Sequence, residues 1–99
     1  MPKIARMDDK NTGQGTLKES GCASTVFANF KKVAQKDCPI TPHQPWSDKK
    51  NHQPHENAKV TDFSPTVFAD GVQVTYVGAA NDCRLHKVDD NSATVFVPK

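Results

Sequence analysis

Seven side chains in this 99-residue chain combine thiol or imidazole chemistry: Cys22, Cys38 and Cys83, with His43, His52, His55 and His86. An odd number of cysteines does not make a disulfide framework, because one thiol is left over. Thiolate and imidazole together suit zinc better than magnesium or calcium, and iron accepts the same donors. Four of them close a tetrahedron at roughly 2.0–2.3 Å each. The intervals Cys38-x4-His43 and Cys83-x2-His86 are no zinc-finger spacing, and the paired Cys-x2-Cys knuckles of a zinc ribbon are missing. Catalysis fares worse. Cys, His and Asp occur together, but no nucleophile elbow and no oxyanion-type glycine cluster accompanies them. Gly13-Gln14-Gly15 lacks the Lys-Ser/Thr of a phosphate loop. The chain reads as a non-enzyme.

An internal repeat ties the donors together. Lys59-Val60-Thr61-Asp62-Phe63-Ser64-Pro65-Thr66-Val67-Phe68 matches Lys87-Val88-Asp89-Asp90-Asn91-Ser92-Ala93-Thr94-Val95-Phe96 at seven of ten positions, 28 residues apart. That offset carries His55 onto Cys83. A His and a Cys at equivalent places are better explained by a shared ion than by packing. Cys38 also aligns with Cys83, each ending the second strand of its copy, and His43 follows Cys38 from a Pro-rich stretch. The candidate metal ligands are therefore Cys38, His43, His55 and Cys83. His52 and His86 stand in reserve, and Cys22 reads as an ordinary small residue before a strand.

The elements that must position these residues are strands. Ten Val against two Leu is a β composition. A third copy lies earlier, at Ser24-Thr25-Val26-Phe27, with Thr16-Leu17 in the place of Lys-Val. Each copy predicts strand, turn, strand. Asp70-Gly71 is a strong hairpin turn, and Asn29-Phe30 holds the same place in the first copy. Val72, Val74 and Tyr76 alternate with Gln73, Thr75 and Val77, which predicts a one-sided strand. The third copy stops at Val97-Pro98-Lys99, so Met1 to Arg6 is expected to supply its missing partner strand. Between Cys38 and Lys59, four prolines exclude a central strand or a helix interior.

Size and charge narrow the function. The chain is read as one domain, residues 1–99. Leu, Ile, Val and Phe are 19 of 99 residues, so the core is thin and a metal or partner would help it. A net charge of +2 and a pI near 8.5 are too weak to argue nucleic acid. Lys31-Lys32 and Lys49-Lys50 read as solvated turns. No apolar run is long enough for a membrane span. Met1 to Lys10 is charged and lacks a secretion signal, which predicts synthesis in the cytoplasm.

Lys3-Ile4-Ala5-Arg6, Gly13-Gln14-Gly15-Thr16, Thr25-Val26-Phe27, Lys32-Val33-Ala34, Cys38-Pro39 and Pro54-His55 follow one another in an order that extends through Ser64-Pro65-Thr66-Val67-Phe68, Asp70-Gly71-Val72-Gln73-Val74, Val77-Gly78 and Cys83. Over nearly the whole chain this resembles the PAAR-repeat proteins, the spike tips of type VI secretion systems and contractile phage tails. The resemblance implies an all-β, cone-shaped fold of pseudo-threefold β-hairpins with a metal, usually zinc, near the apex. It implies one monomer seated on a trimeric β-helical spike, at a virion tail tip or a secreted injection tip, meeting the target envelope transiently. Departures are visible. Lys36-Asp37 and Gly78-Ala79 stand where the family carries Gly-Asp, Gln35 and Tyr76 where it carries Arg, and Gly13 where a His is usual. The alternative is a small zinc-binding protein-interaction or effector-adaptor module.

Overall fold

The computed structural model describes residues 1–12, 15–41, 58–81 and 87–99. Among them there is no α-helix, and the fold class is all-β as expected. One 3-10 turn, Glu19–Gly21, precedes β1 (Cys22–Ala28), which pairs antiparallel with β2 (Lys31–Ala34). A second, shorter hairpin joins β3 (Phe68–Ala69) to β4 (Val72–Gln73). Both turns place two residues in the left-handed region. Asn29 and Phe30 have φ 51° and 72°, and Asp70 and Gly71 have 51° and 81°. That pair of angles matches the right-handed twist of the flanking strands, which is why such turns close two-residue hairpins.

The N-terminal segment supplies the third partner, as the sequence predicts. Lys3 bridges Phe96 antiparallel, Ile4 N–H donates to Val95 O at 2.8 Å, and Val97 N–H donates to Pro2 O at 2.9 Å. Each Phe of the three Thr-Val-Phe copies is thereby opposed across a pair: Phe27 by Lys32, Phe68 by Gln73 and Phe96 by Lys3.

At the centre, three buried residues bond in a cycle. Thr75 N–H donates to Ala34 O at 3.1 Å, Ala34 N–H to Ala5 O at 3.0 Å, and Ala5 N–H to Thr75 O at 3.1 Å. All three are fully buried. The side chains here, two Ala and one Thr, are small, as suits a place where three segments converge. Thr75 corrects the expectation of a one-sided strand. Alternation with Val74 turns it outward, yet it is enclosed with its neighbours Val74 and Tyr76, and its hydroxyl donates to Asp62 O at 2.8 Å. A segment in the middle of such a junction is covered on both faces, so period-two patterning fails there.

A closed cycle of six short segments lies next along the chain. Lys10 bridges Thr16, Leu17 bridges Ile40, Pro39 bridges Lys59, Val60 bridges Asn81, Ala80 bridges Lys87, and Val88 returns to Asn11. Closure leaves these segments no unpaired edge. Leu17, Val60 and Val88 are buried inside it, and each accepts a backbone N–H, from Asp8, Asp37 and Gly78 respectively. Those three donors share a left-handed backbone, with φ 69°, 62° and 90°. The bonds match Thr16-Leu17 to Lys59-Val60 and Lys87-Val88, as the repeat predicts. They also shift one alignment by a residue, since Asp37 corresponds to Gly78 and not to Ala79.

The core is built from Ala, Val, Leu17, Ile4, Ile40, Tyr76 and Cys38. None of the five phenylalanines is buried. Small aliphatic side chains fill the interior, and the aromatic surface faces out.

Candidate functional site

Two regions hold the side chains that could act on something else. One is the end that carries the hairpin turns. In each Thr-Val-Phe copy Thr and Phe face outward and the following Ala28, Ala69 or Val97 inward; only the first copy lies wholly within a strand, the second entering β3 at Phe68 and the third making an isolated bridge at Phe96. Phe27, Phe68 and Phe96 are 56%, 58% and 50% exposed, and Phe30, at the tip of the first turn, is 99% exposed. Val72 and Val95 are exposed as well. Aromatic surface recurring at corresponding positions of the repeat is informative in a way that a single exposed Leu is not.

Polar contacts link these turns to the neighbouring copies. Asn29 Oδ1 accepts from Thr94 N–H at 3.0 Å, and its Nδ2 donates to Thr94 Oγ1 at 3.0 Å. The Asp70 carboxylate accepts from the Thr25 hydroxyl, from Thr25 N–H at 3.0 Å and from the Ser24 hydroxyl at 3.4 Å. The Thr25 hydroxyl first, and then the Thr25 N–H, hold the Asp70 carboxyl below its ordinary range.

The other region is the six-segment cycle and what leaves it. The bridged pairs Lys10–Thr16, Pro39–Lys59 and Ala80–Lys87 flank residues 13–14, 42–57 and 82–86. His43, His55 and Cys83 lie outside the described residues, as do the reserves His52 and His86. Their flanks are neighbours: Val60, which follows the segment with His43 and His55, bridges Asn81, two residues before Cys83. Asn81 is 1% exposed, and neither the O nor the N of its carboxamide has a hydrogen-bond partner among the described residues. Among the described residues, no group of three or more His, Cys, Asp or Glu is arranged to hold a metal.

Cys38 is the one candidate ligand that the structure describes. It is fully buried. Its N–H donates to Gln35 O at 3.1 Å, closing a turn through Asp37. The same bond recurs from Asp9 to Arg6 and from Ala79 to Tyr76. The position equivalent to Cys38 is thus Ala79, which corrects its alignment with Cys83. The bonds also match Gln35 and Tyr76 to Arg6, as the motif comparison expects.

Cys22, set aside in the sequence reading, is the neighbour that reading missed. Its thiol and that of Cys38 both donate to Lys18 O, at 3.4 and 3.5 Å. The neighbouring Cys38 thiol pushes the Cys22 thiol down in pKa, while Cys22 and then burial push Cys38 up. No spacing rule joins residues 22 and 38. The signal is structural: Gln35 N–H donates to Gly21 O, and the turn after β2 folds Cys38 against Gly21.

Arg6 and Asp9 form a buried pair of another kind. Asp9 accepts from Arg6 N–H at 2.7 Å and from Asn91 Nδ2 at 2.6 Å, while Arg6 donates to Ser92 Oγ at 3.2 Å. The charges are compensated within the network, which fastens the N-terminal segment to the third copy.

Comparison with protein-family models and with curated proteins finds no match for this chain.

Proposed function

We propose that this chain is a structural spike tip, a pseudo-threefold cone that caps the trimeric β-helical spike of a contractile injection machine, whether phage tail or type VI secretion system. The carrying observation is the set Phe27, Phe68 and Phe96, exposed at corresponding positions of the repeat, with Phe30 exposed on the turn that follows Phe27. A trimer presents its end in triplicate, and a monomer matches it only by repeating its own surface three times. Hydrogen bonds that recur at Asp8, Asp37 and Gly78, and at Asp9, Cys38 and Ala79, support that threefold reading. Apolar area supplies the binding and strand ends extend the β-helix. The opposite end, where the six-segment cycle closes, is the apex that meets the envelope. The tip concentrates force and performs no catalysis.

Zinc belongs to this proposal as a structural ion held by His43, His55 and Cys83, with Cys38 as fourth ligand. Two things support it: the mixed thiol and imidazole donors, and the carboxamide of Asn81, unpartnered among the described residues, beside the segment that carries Cys83. Bound zinc would cross-link segments with little apolar surface, so its binding free energy becomes folding free energy.

Light scattering of the protein mixed with its cognate spike trimer tests the cap. One copy per trimer is expected, and three copies or no complex counts against it. Metal analysis of untagged protein tests the ion. His55→Ala and Cys83→Ala are each expected to lower zinc content and melting temperature. Undiminished zinc in both variants would rule out the shared ion and leave the cap standing.

A further inference from the structure

We infer that Cys22 and Cys38 form a redox site: a dithiol that closes to a disulfide when a small-molecule disulfide, of the oxidised-glutathione class, reaches Cys22. The inference rests on the thiol pair; it does not depend on the cap, and it competes with the proposed zinc set for Cys38.

Both thiols converge on one acceptor, Lys18 O, at 3.4 and 3.5 Å. Two side chains aimed at the same acceptor need only modest rotations to join. The backbones are equally close. A Cβ placed on Gly21 would lie 2.7 Å from Cys38 Cα and 2.8 Å from its Sγ, and Cys22 is the next residue. Disulfides need that kind of backbone approach, and cysteines held far apart cannot be bridged without chain movement.

The two thiols differ in access, which sets the order of events. Cys22 is half-buried and Cys38 is fully enclosed. Cys22 releases its proton to solvent, and its sulfur attacks one sulfur of the small disulfide. The S–S bond of the oxidant breaks, one small thiol leaves, and a mixed disulfide stands on Cys22. Cys38 then releases its proton and attacks the Cys22 sulfur, expelling the second small thiol. The protein loses two electrons and two protons, and one small disulfide becomes two thiols. The new bond spans the whole β1–β2 hairpin and ties its first strand to the turn that follows its second.

The test is oxidised glutathione added to the full-length protein, followed by denaturing alkylation and peptide mapping. A Cys22–Cys38 cross-linked peptide is expected, with Cys83 outside it. The oxidised protein should melt about 10 °C above the reduced one, and a reductant should reverse both changes. In Cys38→Ser, the glutathione adduct should persist on Cys22, since nothing resolves it. Full alkylation of both Cys22 and Cys38 after treatment overturns the inference. So does a cross-link that uses Cys83, or bound metal that shields Cys38 completely. Zinc measured on the same samples reports separately on the metal set. A disulfide with zinc retained supports the redox site and removes Cys38 from the ligands.

Discussion

Asn29-Phe30 and Asp70-Gly71 occupy the same place in their hairpins and adopt nearly the same backbone, yet one pair ends in Phe and the other in Gly. Gly takes a positive φ at no steric cost. Phe does not, and a bulky residue at φ 72° costs on the order of 1–2 kcal/mol. Burial offers no compensation, because Phe30 is 99% exposed. The second hairpin therefore shows what folding alone asks of this turn, and the first carries an aromatic ring that folding does not ask for. A bulky residue held against its conformational preference, with its whole surface in water, is what the proposed docking onto a spike would use. The first hairpin is exceptional on its other side too. It is the longer of the two, it begins at the Cys22–Cys38 pair, and its approach is so tight that Gly21 has no room for a side chain.

The largest expected effect follows from that tightness. A Cβ on Gly21 would sit 2.4 Å from Pro39 Cδ and 2.7 Å from Cys38 Cα, and neither a proline ring nor a backbone carbon can step aside cheaply. Gly21→Ala should destabilise the protein by roughly 2–3 kcal/mol, as overpacking does. Gly71→Ala meets nothing within 4 Å, so only its φ of 81° counts against it. It should cost about 1 kcal/mol. Urea denaturation of the two variants measures both. Equal losses would mean that the first hairpin is no more tightly seated than the second.

Phe30→Gly sharpens the comparison from the other direction. Giving the first turn the residue of the second should relieve strain and raise stability by about 0.5–1 kcal/mol, the relief being partly offset by the greater freedom of Gly in the unfolded chain. The same change should weaken binding to the spike. Unchanged stability would remove the strain argument. Greater stability with undiminished binding would leave Phe30 without the role proposed for it.

The parts that were legible in the sequence are those where local chemistry decides the conformation. Thr-Val-Phe announces a strand in the first copy, though only Phe68 of the second lies in a strand and Phe96 of the third is an isolated bridge. Asp70-Gly71 announces its turn, and Thr16-Leu17 aligns with two Lys-Val pairs because Leu17, Val60 and Val88 fill corresponding buried places. Met1 to Arg6 was readable as a partner strand from its short alternating apolar pattern, and Lys3 does bridge Phe96. What pattern could not reach is set by contacts remote in sequence. Thr75 looks outward-facing until two other strands close around it. Cys22 looks unremarkable until the turn through Asp37 brings Cys38 beside it. Asp37 aligns with Gly78 only once both are seen to hold a left-handed backbone, which Gly favours and Asp tolerates. Of the predicted ligands, Cys38 alone falls among the described residues.

The smallest effect separates the turns by charge. Both use their first residue to hold a threonine of a neighbouring copy, but Asn29 is neutral and Asp70 ionises. Hydrogen bonds from Thr25 and Ser24 favour the charged carboxylate and lower its pKa. A group whose folded pKa is depressed adds stability above its unfolded value, near 4, and loses it as pH falls through the folded value. The Asp70–Thr25 contact should therefore loosen in acid, while the Asn29–Thr94 contact should not. Lys32 lowers Glu19 and Lys3 lowers Asp90 in the same sense, so the parent protein alone cannot isolate Asp70. Differences between variants can. The stability gap between parent and Asp70→Ala should be widest near neutrality and should close as pH falls through the lowered pKa of Asp70. The gap for Asn29→Ala should stay level across that range, apart from changes common to every variant. Asn29→Asp should make the first turn acid-sensitive as well, because an aspartate there can accept from both the N–H and the hydroxyl of Thr94. A gap for Asp70→Ala that does not move with pH would show that the Thr25 contact contributes nothing through the charge of the carboxylate.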